Sequence, residues 1–176
     1  MFKKCLFSGF LVILAYAPLI AYSQESVRLG IPVTQEDLLE FDLIAPPDGS
    51  GFPPGGGTAQ DGKQIYDVNC AVCHGASGEG TSGNTVIVGG DMQSEGPPLR
   101  TVGSYWPYAS TLFDFIRRAM PATAPKSLTN EQVYQVTAYV LFMNDLIKED
   151  TQINGDTISE IDMPNANGFI DRSYIQ

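Results

Sequence analysis

The chain has 176 residues, enough for one domain of ordinary size, and its 20 acidic against 10 basic residues give a formal charge of −10. This excess of negative charge argues against nucleic-acid binding, and it fits either docking on a basic partner surface or plain solubility. With three cysteines and one histidine in the whole chain, any site built from thiols and imidazole must draw on very few residues.

The first 23 residues have the three-part pattern of a secretory signal peptide. Residues 1–4 form a short basic segment, and residues 5–20 are uncharged and mostly apolar. Ala21 and Ser23 then provide small side chains at the two positions that signal peptidase recognises. An uncleaved anchor is the alternative, although the apolar run is short against the about 20 residues that a span needs. We predict cleavage before Gln24, a periplasmic protein without a stable membrane span, and a charge of −12 once Lys3 and Lys4 are lost.

Residues 70–75 read CAVCHG and hold the only two cysteines outside the predicted signal peptide. A closed zinc site usually needs four protein ligands, and this stretch offers three. A thioredoxin-like dithiol opens a helix after a buried strand, whereas residues 61–69 look helical. Covalent heme c accounts for every residue, since Cys70 and Cys73 join the two porphyrin vinyl groups and His74 binds the iron. A single CxxCH motif predicts one heme.

Two further helices are predicted after the motif. Ser110 can cap a helix over about residues 111–119, in which apolar side chains recur at i, i+3, i+4 and i+7, namely Leu112, Phe115, Ile116 and Ala119. A second helix starts near Thr129, which can form a capping box with Gln132, and runs to about Ile147. Residues 120–125 therefore form a loop, stiffened by two prolines.

The second iron ligand has to be chosen among methionines, because His74 is the only histidine of the chain. Methionine is a common partner of histidine in c-type cytochromes and raises the reduction potential. Met143 repeats with the apolar face of its helix, and Met92 lies in a polar, Gly-rich loop. We predict Met120, in the loop between the helices, as the second ligand of the iron beside His74, with Met163 as the runner-up.

Heme propionates need hydrogen-bond donors if they are partly buried. The candidates are Arg100, Tyr105, Trp106, Arg117 and Arg118. Trp106 serves equally well as a propionate contact or as an ordinary core aromatic, and the arginine pair can simply be solvated. Tyr66 and Tyr139 are expected to pack where the first and last helices cross.

Both ends of the chain lack apolar periodicity. Residues 45–57 read APPDGSGFPPGGG and predict an ordered wrap or a linker, and residues 148–176 are polar and acidic. In a subunit of a complex both arms can lie on the partner, and in a free carrier the default is mobile ends. The predicted organisation is a signal peptide (1–23), an irregular extension (24–57), a main domain (58–148) and a C-terminal extension (149–176).

The order of these parts resembles class I cytochromes c. That family has a helix leading into CxxCH, then a loop on the histidine side of the heme, and then a Met-Pro loop before a last helix that crosses the first. The matching parts here, in the same order, are residues 59–69, 70–75, 96–99, 120–121 and 129–147. The resemblance implies an all-α class I fold of few helices around one covalently bound heme. It also implies that the carbonyl of Pro97, or else of Pro98, accepts a hydrogen bond from the His74 ring.

A narrower resemblance covers residues 103–145, which look like the heme subunits of bacterial sulfite and sulfane dehydrogenases. Residues 29–30, 46–49, 55–58, 163–165 and 168–169 fit the extensions of that group. It implies a subunit that accepts single electrons from a molybdenum-cofactor subunit and passes them to a downstream acceptor in sulfur oxidation. No general base or nucleophile constellation is evident, so the chain alone is not predicted to be an enzyme. A free electron shuttle for another dehydrogenase and a ligand-binding heme sensor remain the alternatives.

Overall fold

A computed structural model describes residues 30–38, 41, 43–170 and 172. The predicted signal peptide falls on residues outside these ranges. The chain divides into two compact units, Met1–Thr34 and Gln35–Gln176. Of the first unit the structure describes residues 30–34, which are exposed and neither helical nor extended into a strand. All elements named below belong to the second unit.

Helices dominate this second unit. They are α1 (Gln35–Leu38), α2 (Ala59–Asn69), α3 (Ala71–His74), α4 (Ala109–Ala119) and α5 (Asn130–Met143), with a short 3-10 helix at Ile158–Glu160. Two-residue strands, β1 (Gly56–Gly57) and β2 (Ile153–Asn154), pair antiparallel, with Gly56 opposite Asn154. None of the described helices is long and apolar enough to cross a membrane. The all-α class I fold that the sequence predicted is confirmed.

Helices α2 and α5 cross closely at the centre of the core. A Cβ at Gly62 would overlap the backbone carbonyl of Gln135, so only glycine allows this approach. The rings of Tyr66 and Tyr139 meet at the crossing with centroids 5.2 Å apart, as the sequence predicted. Both helices open with capping boxes, Thr58 with Asp61 and Thr129 with Gln132, the second of which was predicted.

Helix α4 begins earlier than the sequence suggested. Tyr108 is the N-cap, in extended conformation, and the predicted cap Ser110 lies inside the first turn. Its hydroxyl is buried and has no hydrogen-bond partner among the described residues. Leu112 and Ile116 are buried as predicted, whereas Phe115 of the same stripe is 41% exposed. The fully buried aromatic of this helix is instead Phe113, whose ring packs on Phe52 and Tyr134, so α4 has two apolar faces.

Parts of both extensions pack as part of the core rather than as mobile ends. Strands β1 and β2 join the two extensions to each other. The Tyr134 hydroxyl donates a 2.9 Å hydrogen bond to the carbonyl of Pro53. Ala45, Ile153, Ile158 and Met163 are all buried in the same hydrophobic core as the helices. The default of mobile ends was therefore wrong for these segments, because their few apolar residues fall where the helices leave an uncovered face.

Candidate functional site

One cavity of about 380 Å³ opens between α3, α4 and α5. Its size lies within the range of ordinary cofactor and ligand sites. Most of its wall is apolar, supplied by side chains such as Leu112, Ile116, Val136 and Val140. Cys70, Cys73, His74 and Met120 all line this one cavity. The structure thus brings together the four residues that the sequence proposed as heme attachment points and iron ligands.

His74 ends the short helix α3, and its ring is held by a backbone acceptor. Its Nδ1 lies 2.8 Å from the carbonyl oxygen of Thr85, a geometry that places the ring proton on Nδ1 and leaves Nε2 free to bind a metal. The prediction that the carbonyl of Pro97, or of Pro98, accepts this hydrogen bond is therefore wrong. Residues 91–100 are all exposed, and neither Pro97 nor Pro98 lines the cavity.

Residues 75–89, here called the proximal loop, fold tightly enough to place Thr85 beside His74. The amide of Gly80 donates to the carbonyl of His74 at 2.6 Å, and the amide of Ile87 donates to Gly78 at 2.9 Å. Gly78 and Gly80 both have positive φ, which favours glycine at these turns. The loop is thereby folded back on the motif itself.

Asn144, which follows α5, fixes the far end of the proximal loop. Its Nδ2 donates to the carbonyls of Val140 at 2.8 Å and of Ile87 at 3.2 Å, and its Oδ1 accepts from the amide of Gly89 at 3.1 Å. The sequence analysis identified neither Thr85 nor Asn144. Thr85 acts through a backbone carbonyl, which the sequence does not reveal. Asn144 fell inside the helix that was predicted to run to about Ile147, whereas α5 ends at Met143.

The two cysteines are half-buried and unpaired. Cys70 stands between α2 and α3 and serves as the cap of both. Burial raises the pKa of the Cys70 thiol to about 11, whereas reactive dithiols have lowered pKa values. Within the described ranges, no group of three His, Cys, Asp or Glu side chains converges as a metal site. The surroundings of Cys70 therefore do not favour the dithiol alternative.

Met120 forms the C-cap of α4, where its amide donates to the carbonyl of Ile116 at 3.1 Å. Of the four methionines that the structure describes, Met120 alone lines the cavity. Met163, the runner-up, is 5% exposed and belongs to the hydrophobic core away from the cavity wall. Met92 is exposed, and Met143 packs against the core as predicted. The geometry favours Met120.

The polar candidates around the cavity divide into two groups. Trp106 lines the cavity and meets Phe115 edge-on, with ring centroids 5.7 Å apart. Arg100 also lines it, with its guanidinium 4.9 Å from the Tyr105 ring centroid. Arg117 does not: its Nη1 donates to the carbonyl of Leu43 at 3.0 Å, on another face of α4. The prediction that Arg117 contacts the cofactor is therefore wrong, because the helix turns it away from the cavity.

The residues present fit a heme. Two thiols, a backbone-oriented imidazole and a thioether face one cavity whose wall is otherwise mostly apolar. Thiols, imidazole and thioether are the attachment and ligand groups of c-type cytochromes. Arg100 and Trp106 also line the cavity, and their side chains carry N–H donors of the kind that heme propionates accept.

Comparisons with known proteins agree with this site. A family model described as cytochrome c oxidase, cbb3-type, subunit III, matches residues 57–140. The crystal structure of the sulfane dehydrogenase SoxCD from Paracoccus pantotrophus contains a chain with 34% sequence identity and a TM-score of 0.78. The similarity covers 85% of this chain and 74% of that chain.

Two curated relatives are thiosulfate dehydrogenases. The protein of Allochromatium vinosum is 28% identical over 69% of this chain and 41% of its own length, and that of Stutzerimonas stutzeri is 32% identical over 50% and 28%. The chain thus spans less than half the length of either relative. Its match to a cytochrome c model and its similarity to the SoxCD chain nevertheless agree with the fold and the site. The chain belongs to the class I cytochrome c family and is related to a chain of the sulfane dehydrogenase SoxCD.

Proposed function

We propose that the chain is an exported, periplasmic cytochrome that carries one heme c through Cys70 and Cys73, with His74 and Met120 as the iron ligands. The observation that carries this proposal is that all four side chains line one cavity. When bound, the heme supplies a one-electron ferric/ferrous couple. The apolar wall limits the access of water, and the Met120 thioether, a soft and neutral ligand, favours the ferrous state.

The remaining polar groups orient the His74 ring and are suited to anchor the heme propionates. The Thr85 carbonyl holds the His74 ring in one tautomer, with Nε2 toward the cavity. Arg100 and Trp106 provide N–H donors at the cavity wall, suited to propionate oxygens. In this proposal the chain itself is not catalytic, and substrate chemistry takes place in a partner subunit.

We further propose that this partner is a molybdenum-cofactor subunit of a sulfite or sulfane dehydrogenase, from which the chain accepts electrons for a downstream acceptor. The sequence resemblance of residues 103–145 to heme subunits of such enzymes supports it, as does the similarity to a chain of the sulfane dehydrogenase SoxCD. The formal charge of −10 favours docking on a basic partner surface.

The iron site is tested by replacing Met120 with alanine. Loss of the thioether is expected to abolish the sulfur-to-iron band and to lower the reduction potential by a sizeable part of the about 0.8 V that axial ligands span. An unchanged band would refute Met120 ligation and return attention to Met163. Mass spectrometry of the denatured wild type should show one heme retained, and a variant lacking both Cys70 and Cys73 should show none.

The partner is tested with the purified holoprotein. Heme reduction by sulfite only when the molybdenum subunit is present, together with co-purification of the two, is the expected result. A stable monomer without a fixed partner would instead indicate a free shuttle. Reduction of the isolated chain by thiosulfate would contradict the non-catalytic role, and rapid carbon monoxide binding to the reduced wild type would favour a ligand-binding heme.

A further inference from the structure

Residues 120–129, here called the ligand loop, carry Met120 but have little internal support. Residues 122–127 are all exposed. Within the loop, the amide of Ala124 donates to the carbonyl of Pro121 at 2.9 Å, and the amide of Ser127 donates to the carbonyl of Ala124 at 3.3 Å. Leu128 is the loop residue that packs against the core beside Met120. The position of Met120 must therefore depend on what holds the two ends of the loop.

Arg117 lies across the base of this loop. Its Nε donates to Oδ1 of Asn130 at 3.2 Å, which links the last turn of α4 to the first residue of α5. Its Nη1 donates to the carbonyl of Leu43 at 3.0 Å. One half-buried guanidinium thus ties together the residues that enter and leave the ligand loop and a third segment of backbone.

The third segment, of which the structure describes residues 41 and 43–45, follows the same side of α4. The amide of Ala45 donates to Oδ1 of Asp114 at 3.0 Å, and the Lys126 ammonium lies 5.7 Å from the centroid of the Phe41 ring. This part of the N-terminal extension therefore touches α4 at Asp114, the arginine at Leu43 and the loop itself at Lys126. It forms a brace against the outer side of the loop, with Arg117 at its middle.

We propose that Arg117 is a positioning residue for Met120: by joining Asn130 and Leu43 it holds the ligand loop closed and keeps the thioether on the iron. The inference rests on the proposed Met120 ligation. It assigns to Arg117 an action through the loop rather than on the heme, since Arg117 does not line the cavity. Planar arginine suits this role because its N–H donors are held in a rigid fork, whereas the lysine ammonium is a compact charge on a flexible stem.

The test is a titration of the ferric holoprotein with imidazole, which competes with Met120 for the iron and removes the sulfur-to-iron band. Arg117→Gln should raise the apparent affinity for imidazole roughly tenfold, the scale of one lost hydrogen bond to a charged group. The matched control is Arg118→Gln. Arg118 carries the same charge on the same helix but donates to Asp114 rather than to Asn130 or Leu43, so Arg118→Gln should stay much closer to wild type in imidazole affinity than Arg117→Gln.

Asn130 gives an independent pair of variants. Asn130→Asp keeps an oxygen acceptor for Arg117 and should behave as wild type, whereas Asn130→Leu removes it and should tighten imidazole binding. This pair decides the matter if Arg117→Gln does not fold. Equal imidazole affinities for Asn130→Leu and Asn130→Asp would overturn the inference, and so would an Arg118→Gln effect as large as that of Arg117→Gln.

Met120→Ala separates this inference from the proposed function. If Met120→Ala keeps the band, Met120 ligation itself fails, whatever the arginine variants do. If Met120→Ala loses the band while Arg117→Gln binds imidazole like wild type, the ligand assignment stands and the role of Arg117 falls.

Discussion

The loops beside the two proposed iron ligands are held in different ways. The proximal loop beside His74 is bonded along its length, from Gly78 and Gly80 at its start to Asn144 at its far end. The ligand loop carries Met120 on an exposed segment whose ends are joined by one arginine. The first loop is supported by many hydrogen bonds, both within itself and to Asn144, and the second by a few contacts between distant segments.

This difference separates two tasks of the same site. The His74 side must remain fixed, because CxxCH and the Thr85 carbonyl set the orientation of the imidazole. In the proposed ligation, the Met120 side sets the reduction potential through a ligand that can detach. Damage to the first loop should therefore appear mainly as lost folding stability, whereas damage to the second should appear in ligation and potential while the fold persists.

The largest loss of folding stability is expected from Gly62→Leu, because this change disrupts the crossing of α2 and α5 on which both loops are built. The added side chain overlaps the carbonyl of Gln135 at the crossing of α2 and α5 and should cost about 3 kcal/mol or more of unfolding free energy. Thermal unfolding followed by circular dichroism measures it. The control is Gly83→Leu, where a Cβ meets nothing within 4 Å, although φ there is +87°, so only its smaller backbone strain should be seen. Equal losses at the two positions would contradict a tight crossing.

A smaller loss, confined to the proximal side, is expected from Asn144→Leu. Three hydrogen bonds disappear and the Gly89 amide and Ile87 carbonyl lose a partner, which should lower the unfolding free energy by about 2 kcal/mol. Chemical denaturation measures the loss, and the sulfur-to-iron band should stay at wild-type intensity. Asn144→Asp keeps only the bond from the Gly89 amide, so its unfolding free energy should lie between those of wild type and Asn144→Leu. A band weakened at unchanged stability would contradict the division of tasks.

Much of this site was predictable because its information is local. CxxCH is a contiguous motif, and the periodic apolar residues of α4 and α5, with the capping box at Thr129, were enough to place Met120 in the loop between them. Tyr66 and Tyr139 were instead placed at the helix crossing by the resemblance to class I cytochromes c, in which the last helix crosses the first. The motif, the periodicity and the capping box depend on neighbours within about two helical turns, so one sequence carries them.

The errors share a physical origin, which is that the deciding partner is distant in sequence. Thr85 replaces Pro97 because the path of a Gly-rich loop, rather than any side chain, brings its carbonyl to His74. Arg117 turns from the cofactor to Leu43, 74 residues away, because a helical stripe gives the phase of a helix but not what each face meets. The extensions join each other through β1, whose two glycines carry no apolar signal, and β2, which has Ile153 as its one apolar residue.

Two helix caps of the same chemistry allow a further test of the ligand loop. Thr58 and Thr129 are both N-caps with complete capping boxes, so replacing either with alanine should cost about 1 kcal/mol. Only Thr129 closes the ligand loop. Thr129→Ala should therefore also raise the apparent affinity of the ferric protein for imidazole, and Thr58→Ala should not. If both variants bind imidazole with the same affinity, the cap at Thr129 does not help to hold the ligand loop closed.

The smallest effect at neutral pH concerns Tyr134, a buried residue whose hydroxyl donates to Pro53. Burial raises its pKa to about 12, above the ordinary value of about 10. The unfolded chain therefore releases this proton first as the pH rises, so the stabilisation is complete below pH 10 and is lost between about pH 10 and 12. Tyr134→Phe should cost under about 1 kcal/mol at pH 7 and flatten the alkaline loss of stability, measured by denaturation at each pH.

Burial also raises the pKa of Tyr66, whose hydroxyl donates to the Gly75 carbonyl at 2.8 Å, one residue after His74. Tyr66→Phe should flatten the alkaline decline in the same direction. The two variants differ in what they leave unpaired: the carbonyl of Gly75 belongs to the proximal loop, and that of Pro53 to the N-terminal extension. If the proximal loop depends on its dense bonding, Tyr66→Phe should lose more stability at pH 7 than Tyr134→Phe, with the sulfur-to-iron band intact in both. An equal loss would mean that the bonds of the proximal loop substitute for one another, so that no single bond fixes His74.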